Sequence, residues 1–277
     1  MTERIGFGCY LPGKSRDEAI DILTTAIETG YRYFDTASFY ETERALGLAI
    51  KQSGIPRNEL QLASKLWIDE KGYQNTKDAF YRSLDRLQTE YLDTYLIHWP
   101  KAAIDDSLWE EQNHETLLAM EDLAKEGLIK NTGVSNFLCH HLDSALIHGH
   151  KPSVDQLELH PGYCQEQTLQ KCFGEGIQVQ AWSPLGRAAL LDNAFLVSLS
   201  KKYGKSVSQI CLIYLLQRGI MPLVKASSKE RMAENLNIFD IRLDAQDMSM
   251  ITCMPPVGWS GEHPDFVIPA LKSNFVQ

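Results

Sequence analysis

Short apolar runs alternate with longer amphipathic stretches along almost the whole chain. Each run is rich in β-branched or aromatic residues, and the polar loop after it leads into a segment whose apolar residues recur every three or four positions. The first pattern is typical of a buried strand and the second of an amphipathic helix. The runs predict strands over residues 5–8, 31–35, 60–65, 94–98, 131–134, 154–158, 178–182 and 222–224.

Six of the amphipathic stretches are regular enough to set approximate helix limits. They predict helices over residues 16–29, 43–52, 76–87, 115–125, 192–203 and 207–218. Ser15 and the pair Asn75-Thr76 are predicted as amino-terminal caps, because their side-chain oxygens can accept hydrogen bonds from free backbone amides. Glycines that can adopt the left-handed conformation predict helix ends at Gly30, Gly54 and Gly127.

This alternation of strands and helices predicts a parallel sheet, and eight repeats predict that the sheet closes into a (β/α)8 TIM barrel. A doubly wound open sheet is the alternative, and it would carry a glycine-rich dinucleotide fingerprint. The only glycine-rich candidate, residues 6–13, has its third glycine in the wrong place. A length of 277 residues suits one barrel, so we expect a single domain over residues 1–277.

Composition and charge narrow the class of protein further. The 27 basic and 36 acidic residues give a net charge of −9, which disfavours binding to nucleic acid. The amino-terminal residues do not resemble a signal peptide, and no apolar run is long enough for a membrane span. The six cysteines form no C-x-x-C pair, which favours reduced thiols. We therefore expect a cytoplasmic protein that binds neither nucleic acid nor membrane.

Ionisable residues stand at the ends of three consecutive predicted strands. Asp35 ends the second strand, Lys65 the third and His98 the fourth, and Tyr40 follows Asp35 by five positions. Each has an ordinary structural interpretation as a helix cap, a solvated lysine, a core histidine or a packed tyrosine. Because strand ends meet at one rim of a barrel, the four side chains are instead predicted to converge on a catalytic site.

Several motifs around these residues resemble those of the aldo-keto reductase superfamily. The segments 35–43, 64–67, 96–100 and 133–137 read D-T-A-x-x-Y-x-x-E, S-K-L-W, L-I-H-W-P and G-V-S-N-F. Further matches are Q-L-E-L-H-P, W-S-P-L-G and a K-x5-R-x2-E-N segment, all in the family's order. The resemblance covers nearly the whole chain, and it implies a (β/α)8 barrel that reduces carbonyl compounds with a nicotinamide cofactor.

The resemblance implies a role for each strand-end residue. Tyr40 would donate the proton to the carbonyl oxygen, Lys65 would lower the pKa of Tyr40, Asp35 would hold Lys65 by an ion pair, and His98 would orient the carbonyl. An ammonium about 4 Å away could lower a tyrosine pKa by up to about three units before burial opposes it.

The same resemblance implies a cofactor site, for which we expect NADPH rather than NADH. Lys225 and Arg231 would hold the 2′-phosphate, although Ala226 stands where many relatives have a hydroxyl residue. The full set of expected cofactor contacts is Ser135, Asn136, Gln156, Trp182, Ser183, Leu185, Lys225, Arg231 and Asn235. In isolation, segment 134–137 is explained equally well as an ordinary turn. Trp182 in isolation favours barrel packing, and segment 225–231 favours a solvated helix start.

By analogy, Tyr10, Trp67 and Trp99 line the mouth of a small substrate pocket. We expect a monomer that reduces small aldehydes or ketones. Two alternatives stay open: a dehydrogenase of one specific alcohol, and a regulatory protein that binds the cofactor without catalysis. A histidine-rich stretch, residues 139–150, is interpreted as a solvated surface cluster, and no metal is expected.

Overall fold

Eight parallel strands close into a barrel in the computed structural model, which describes residues 5–266. The strands are β1 Gly6–Gly8, β2 Tyr33–Asp35, β3 Gln61–Leu66, β4 Leu92–Ile97, β5 Ile129–Ser135, β6 Val154–Glu158, β7 Gln178–Trp182 and β8 Met221–Val224. Each pairs with the next in sequence, and β8 pairs with β1 through Phe7 and Val224. The predicted (β/α)8 barrel is confirmed; the expected domain limits include residues 1–4 and 267–277, which lie outside the described residues.

Ten helices surround the barrel in the described part of the chain. They are α1 Arg16–Thr29, α2 Glu43–Ser53, α3 Tyr73–Leu87, α4 Trp109–Lys125, α5 Cys139–Ile147, α6 Glu166–Gly174, α7 Ala194–Tyr203, α8 Val207–Gln217, α9 Lys229–Leu236 and α10 Ala245–Thr252. No helix among residues 5–266 has the length and hydropathy needed to cross a membrane.

Local capping explains where several helices begin and end. Ser15 accepts from the amide of Glu18, whose side chain accepts from the Ser15 amide, so the predicted cap is a complete capping box. Gly30 and Gly54 end α1 and α2 in the left-handed conformation, as predicted. The predicted cap at Asn75-Thr76 is wrong, because α3 begins at Tyr73 after Gly72.

The apolar core lies between the strands and the helices, while the inside of the barrel is partly polar. Gln156 donates to the Gln180 side-chain oxygen at 3.1 Å, and Gln180 donates to the Tyr33 hydroxyl at 2.7 Å. Gly133 lets β5 approach its neighbours, since a Cβ there would lie 2.7 Å from both a Leu96 methyl carbon and the Val154 carbonyl oxygen. The strand ends are thereby held close enough to share one site.

A buried lysine ties the loops after β3 and β4 together. Lys71 donates to the Pro100 carbonyl oxygen at 2.6 Å, and the Asn113 amide donates to the same oxygen at 3.0 Å. Burial lowers the pKa of Lys71 from 10.5 to about 7, although the charge of Asp106 opposes this shift. The lysine therefore loses its proton much more readily in the folded protein than in the unfolded chain.

This pKa difference predicts that the protein becomes more stable as pH rises above 7. Between pH 7 and 8.5 the unfolded chain holds a proton on Lys71 that the folded protein has released. Lys71 therefore raises the free energy of unfolding by at most about 1.4 kcal/mol per pH unit. Lys71→Met should flatten this rise, and Asn113 still supplies a donor to the Pro100 carbonyl. Urea unfolding at several pH values measures the slope. Lys51→Met, on the exposed side of α2, is the control, and an equal slope in the wild type and in Lys71→Met would contradict the prediction.

Candidate active site

The four predicted strand-end residues converge at the carboxyl end of the barrel. The Lys65 ammonium donates to Asp35 Oδ2 at 2.7 Å and to the Tyr40 hydroxyl at 3.3 Å. The Tyr40 hydroxyl lies 3.5 Å from His98 Nε2. Tyr40 sits in a short 3-10 helix, residues Ser38–Tyr40, and His98 follows the last residue of β4. The arrangement places a phenol and an imidazole side by side, with a buried cation beneath the phenol.

Burial and charge set the protonation states of this cluster. Burial raises the pKa of Tyr40 to about 12; the Lys65 charge lowers it, but less than burial raises it. Lys65 thus acts on the Tyr40 pKa in the expected direction, but burial has the larger effect. Burial and the Lys65 charge hold the His98 pKa well below its usual value. Burial lowers the Lys65 pKa, but Asp35 and Tyr40 raise it more, so the lysine stays charged. At neutral pH the site holds a neutral phenol, a neutral imidazole and an ammonium.

A hydrogen-bonded chain beneath the site fixes the Asp35 carboxylate. Gln156 donates to Asp35 Oδ1 at 2.8 Å and also to Gln180, which continues to Tyr33. Sequence reasoning identified Gln156 but missed Gln180 and Tyr33. Their alternation with outward-facing residues in β7 and β2 was the available signal, since residues two apart in a strand share a face.

Polar side chains at the end of β5 lie beside His98. Asn136 takes a left-handed conformation with φ 64°, and its side-chain amide donates to the His98 carbonyl at 3.0 Å. Its side-chain oxygen accepts from the Trp182 indole nitrogen at 2.8 Å. Ser135 donates to the Gln156 backbone carbonyl at 2.8 Å. Sequence-predicted residues from three strands are thus brought together.

Aromatic side chains surround the mouth of the site. Trp67 and Trp99 are buried in one cluster, and the partly buried Phe39 and Trp182 pack against it. The Phe39 ring stacks on Trp67 with centroids 3.9 Å apart, a contact that sequence reasoning missed. Tyr10 is 40% exposed, and its ring lies 5.0 Å from that of Tyr40. The three predicted pocket residues therefore lie beside the cluster of Tyr40, Lys65 and His98.

A second group of predicted residues lies at the amino end of α9. Lys225 and Arg231 are exposed, and within residues 5–266 neither side chain forms an ion pair with a carboxylate. Lys225 reaches the Ser227 hydroxyl at 3.5 Å, while Ala226 is buried. Asn235 is buried near Tyr31. Two cations with no carboxylate partner among residues 5–266 therefore lie near a helix amino terminus, an arrangement that suits an anion.

The loop after β7 is held by the segment that follows α10. Ser183 has φ 49° and begins the turn in which Leu185 packs on the main core. Arg187 forms an ion pair with Glu262 at 2.7 Å, and Ser260 donates to the buried Glu158 carboxylate at 2.7 Å. The segment thus anchors the rim on the side of Trp182.

The histidine-rich stretch is not the solvated surface cluster that the sequence suggested. His140 and His148 are exposed, but His141 is fully buried and His150 is 3% exposed. His141 packs against Phe137 and Trp109, and His150 lies against α4. The helix α4 begins at Trp109, six residues earlier than predicted, and it covers these side chains.

Fold and site together define a barrel oxidoreductase, and comparison with known proteins identifies the family. The sequence profile of the Aldo/keto reductase family matches residues 4–254, and the chain belongs to this family. It is 42% identical over 250 residues to glyoxal reductase of Bacillus subtilis, covering 90% of this chain and 88% of the relative. It is 37% identical over 268 residues to methylglyoxal reductase DkgA of Escherichia coli K12, covering 96% and 94%.

A solved structure shares the fold. The aldo/keto reductase from Brucella melitensis superposes with a TM-score of 0.83 at 38% identity, covering 90% of this chain and 93% of that one. The chain is therefore an oxidoreductase of the aldo-keto reductase family with the family's barrel.

Proposed function

We propose that the protein uses NADPH to reduce small aldehydes and ketones, and that α-oxoaldehydes such as glyoxal and methylglyoxal are its main substrates. The observation that carries the proposal is the cluster in which the Tyr40 hydroxyl lies 3.3 Å from the Lys65 ammonium and 3.5 Å from His98 Nε2. The relatives named for glyoxal and methylglyoxal reduction support the substrate class. All the groups of the site come from one chain, so we infer that a monomer suffices.

The residues present fit a phosphorylated nicotinamide cofactor. Lys225 and Arg231, which are exposed near the amino end of α9, are suited to a 2′-phosphate. The side-chain oxygens of Ser135, Asn136 and Gln156 offer acceptors for the amide hydrogens of a carboxamide, and the Trp182 ring, fixed by Asn136, offers a face for stacking. Ser183 and Leu185 lie in the loop that would meet the pyrophosphate. We infer that Ser227, beside Lys225, replaces the hydroxyl that Ala226 lacks.

The bound cofactor supplies a hydride to the carbonyl carbon. The carbonyl oxygen would accept hydrogen bonds from the Tyr40 hydroxyl and from His98 Nε2. His98 is neutral, so it orients the oxygen through one N–H and carries no competing charge. As negative charge develops on the oxygen, Tyr40 transfers its proton, and the nearby Lys65 ammonium stabilises the phenolate that remains. Asp35 keeps this ammonium in place.

The pocket favours small, planar substrates. Trp67 and Trp99 are almost completely buried, so the aromatic wall near His98 is packed and rigid. Tyr10 is more exposed and borders the opening above Tyr40. We infer that a two- or three-carbon dicarbonyl is small enough to meet Tyr40 and His98 beside these packed rings.

The proposal is tested by following NADPH oxidation with a panel of glyoxal, methylglyoxal, simple aldehydes, simple ketones and a bulky steroid ketone. We expect the highest kcat/KM for the α-oxoaldehydes. Arg231→Ala should raise the KM for NADPH at least tenfold and leave that for NADH nearly unchanged, since only the former carries the 2′-phosphate.

The alternatives predict other results. Turnover of a single alcohol with NADP⁺, and none of the carbonyls, would favour a specific dehydrogenase. NADPH binding without turnover across the panel would favour a regulatory protein. If Arg231→Ala raises the KM for NADPH and the KM for NADH equally, Arg231 does not bind the 2′-phosphate.

A further inference from the structure

The loop that carries Tyr40 is bonded to the loop that follows β3. It joins β2 to α2 and contains the short 3-10 helix Ser38–Tyr40. The Ser38 hydroxyl donates to Glu70 Oε2 at 2.7 Å. Glu70 is the last residue of a second short 3-10 helix, Ile68–Glu70, which comes shortly after β3. A side-chain hydrogen bond therefore ties the loop of the proposed proton donor to its neighbour on the rim.

Glu70 is itself held by two further groups. Its Oε2 also accepts from the Trp67 backbone amide at 2.8 Å, and its Oε1 accepts from the Arg82 guanidinium of α3 at 3.0 Å. The Glu70 side chain is 17% exposed, whereas that of Arg82 is 52% exposed. A hydrogen bond to a carboxylate is stronger than one between neutral groups, and more so where water is largely excluded. Glu70 is thus a firm attachment point for Ser38.

An apolar contact between the same two loops acts in the same direction. Phe39, next to Ser38, stacks on Trp67 with an angle of 15° between the rings. Because the Trp67 amide is bonded to Glu70, the polar and the apolar contact of the 3-10 helix both rest on residues 67–70. The Trp67 ring centroid also lies 5.0 Å from that of His98. The stretch that holds the helix therefore also contacts the imidazole that faces the phenol.

The geometry of the site tolerates little movement of this helix. The Tyr40 hydroxyl lies 3.3 Å from the Lys65 ammonium and 3.5 Å from His98 Nε2, and the second distance is at the outer limit for a hydrogen bond. Lys65 lies within β3 and His98 directly follows β4, whereas Tyr40 depends on a loop for its position. A displacement of about 1 Å between reacting groups can lower a rate about 100-fold.

We propose that Ser38 and Glu70 are positioning residues for Tyr40. The hydrogen bond between them fixes the 3-10 helix, so that the Tyr40 hydroxyl stays within reach of both Lys65 and His98. This inference rests on the proposed function, in which Tyr40 donates the proton. Ser38 and Glu70 act through the phenol and not on the substrate or the cofactor, so their loss lowers kcat and leaves the affinity for NADPH unchanged.

Steady-state kinetics with methylglyoxal tests the effect on the reaction. Ser38→Ala removes the donor and Glu70→Ala removes the acceptor, and each should lower kcat about tenfold. In Ser38→Ala the dissociation constant for NADPH and the Tm should equal those of the wild type. Ser38→Thr keeps a hydroxyl and should regain most of the activity. The double variant Ser38→Ala/Glu70→Ala should be no slower than Glu70→Ala, because both changes remove the same bond.

Hydrogen exchange tests the position of the helix without any turnover. The Tyr40 amide donates to the Ala37 carbonyl oxygen at 3.1 Å. Mass spectrometry of the peptide that contains this amide should show exchange about three- to tenfold faster in Ser38→Ala than in the wild type. The two proposals fail in different ways. A wild type that reduces no carbonyl compound contradicts the proposed function, while the exchange rate still tests the bond between Ser38 and Glu70.

Two controls separate this bond from general effects. Ser198→Ala changes an exposed serine of α7 that donates to the Phe195 carbonyl of its own helix, and it should match the wild type in rate and exchange. Arg82→Met breaks the exposed ion pair but leaves the Ser38 bond, so kcat should stay within about twofold. The proposal is overturned if Ser38→Ala exchanges as slowly as the wild type, whatever its kcat. It is also overturned if Arg82→Met loses as much activity as Ser38→Ala, or if Ser38→Thr regains none.

Discussion

Tyr40→Phe is expected to lower kcat for methylglyoxal reduction by about 10²- to 10⁴-fold while leaving NADPH affinity unchanged. The substitution removes the one hydroxyl that lies within reach of both the Lys65 ammonium and His98 Nε2 in the described site. The benzene ring stays, so its contact with Tyr10 is preserved. Steady-state rates give kcat, and the change in protein fluorescence on adding NADPH gives the dissociation constant.

Tyr81→Phe is the matched control, because this tyrosine is exposed on α3. Its activity should equal that of the wild type. Wild-type activity in Tyr40→Phe would show that the proton comes from another group, and the proposed role of Tyr40 would be wrong. A loss of NADPH binding in Tyr40→Phe would instead place the hydroxyl in cofactor binding.

Lys65→Met is expected to abolish activity and to lower the free energy of unfolding by about 3–5 kcal/mol. Lys65 is fully buried and Asp35 is 3% exposed, so removing the ammonium leaves a buried carboxylate without its cation. Asp35→Asn should also destabilise the protein, because it leaves the buried Lys65 ammonium without its carboxylate partner. The double variant Asp35→Asn/Lys65→Met buries no unpaired charge, so it should regain most of the lost stability. It should remain inactive.

Urea unfolding of the four proteins measures the coupling between the two residues, which should be strongly non-additive. Lys14→Met, which breaks an exposed ion pair with Glu18 in α1, is the control and should unfold as the wild type does. Additive losses in the double variant would mean that the ion pair does not hold the site together. Activity in the double variant would show that the reaction needs neither Asp35 nor Lys65.

The site could be predicted from sequence to the extent that it depends on strand ends. The apolar runs that end at Asp35, Lys65 and His98 predict three neighbouring strands. Parallel strands in a barrel bring their carboxyl ends to one rim. The same reasoning did not find Phe39 or Gln180. Phe39 depends on the conformation of a loop, and Gln180 matters only because the Gln156 side chain lies above it.

The direction of the Tyr40 pKa shift could not be predicted from the sequence, for a different reason. The sequence predicts a lysine near the phenol, and a charge at that distance lowers a tyrosine pKa. Burial acts in the opposite direction and is larger, so the pKa rises to about 12. The size of the burial effect depends on every group packed around Tyr40, including residues far away in the chain.

By itself, the sequence determined the repeat of strands and helices, the closure into a barrel and the chemical groups at its rim. These follow from local periodicity and from the geometry common to all parallel barrels. Only the tertiary structure decided which histidines are buried and how Asp35 is held from below. Those properties depend on distances between residues up to 121 positions apart in the chain, and such distances are fixed only when the whole barrel has packed.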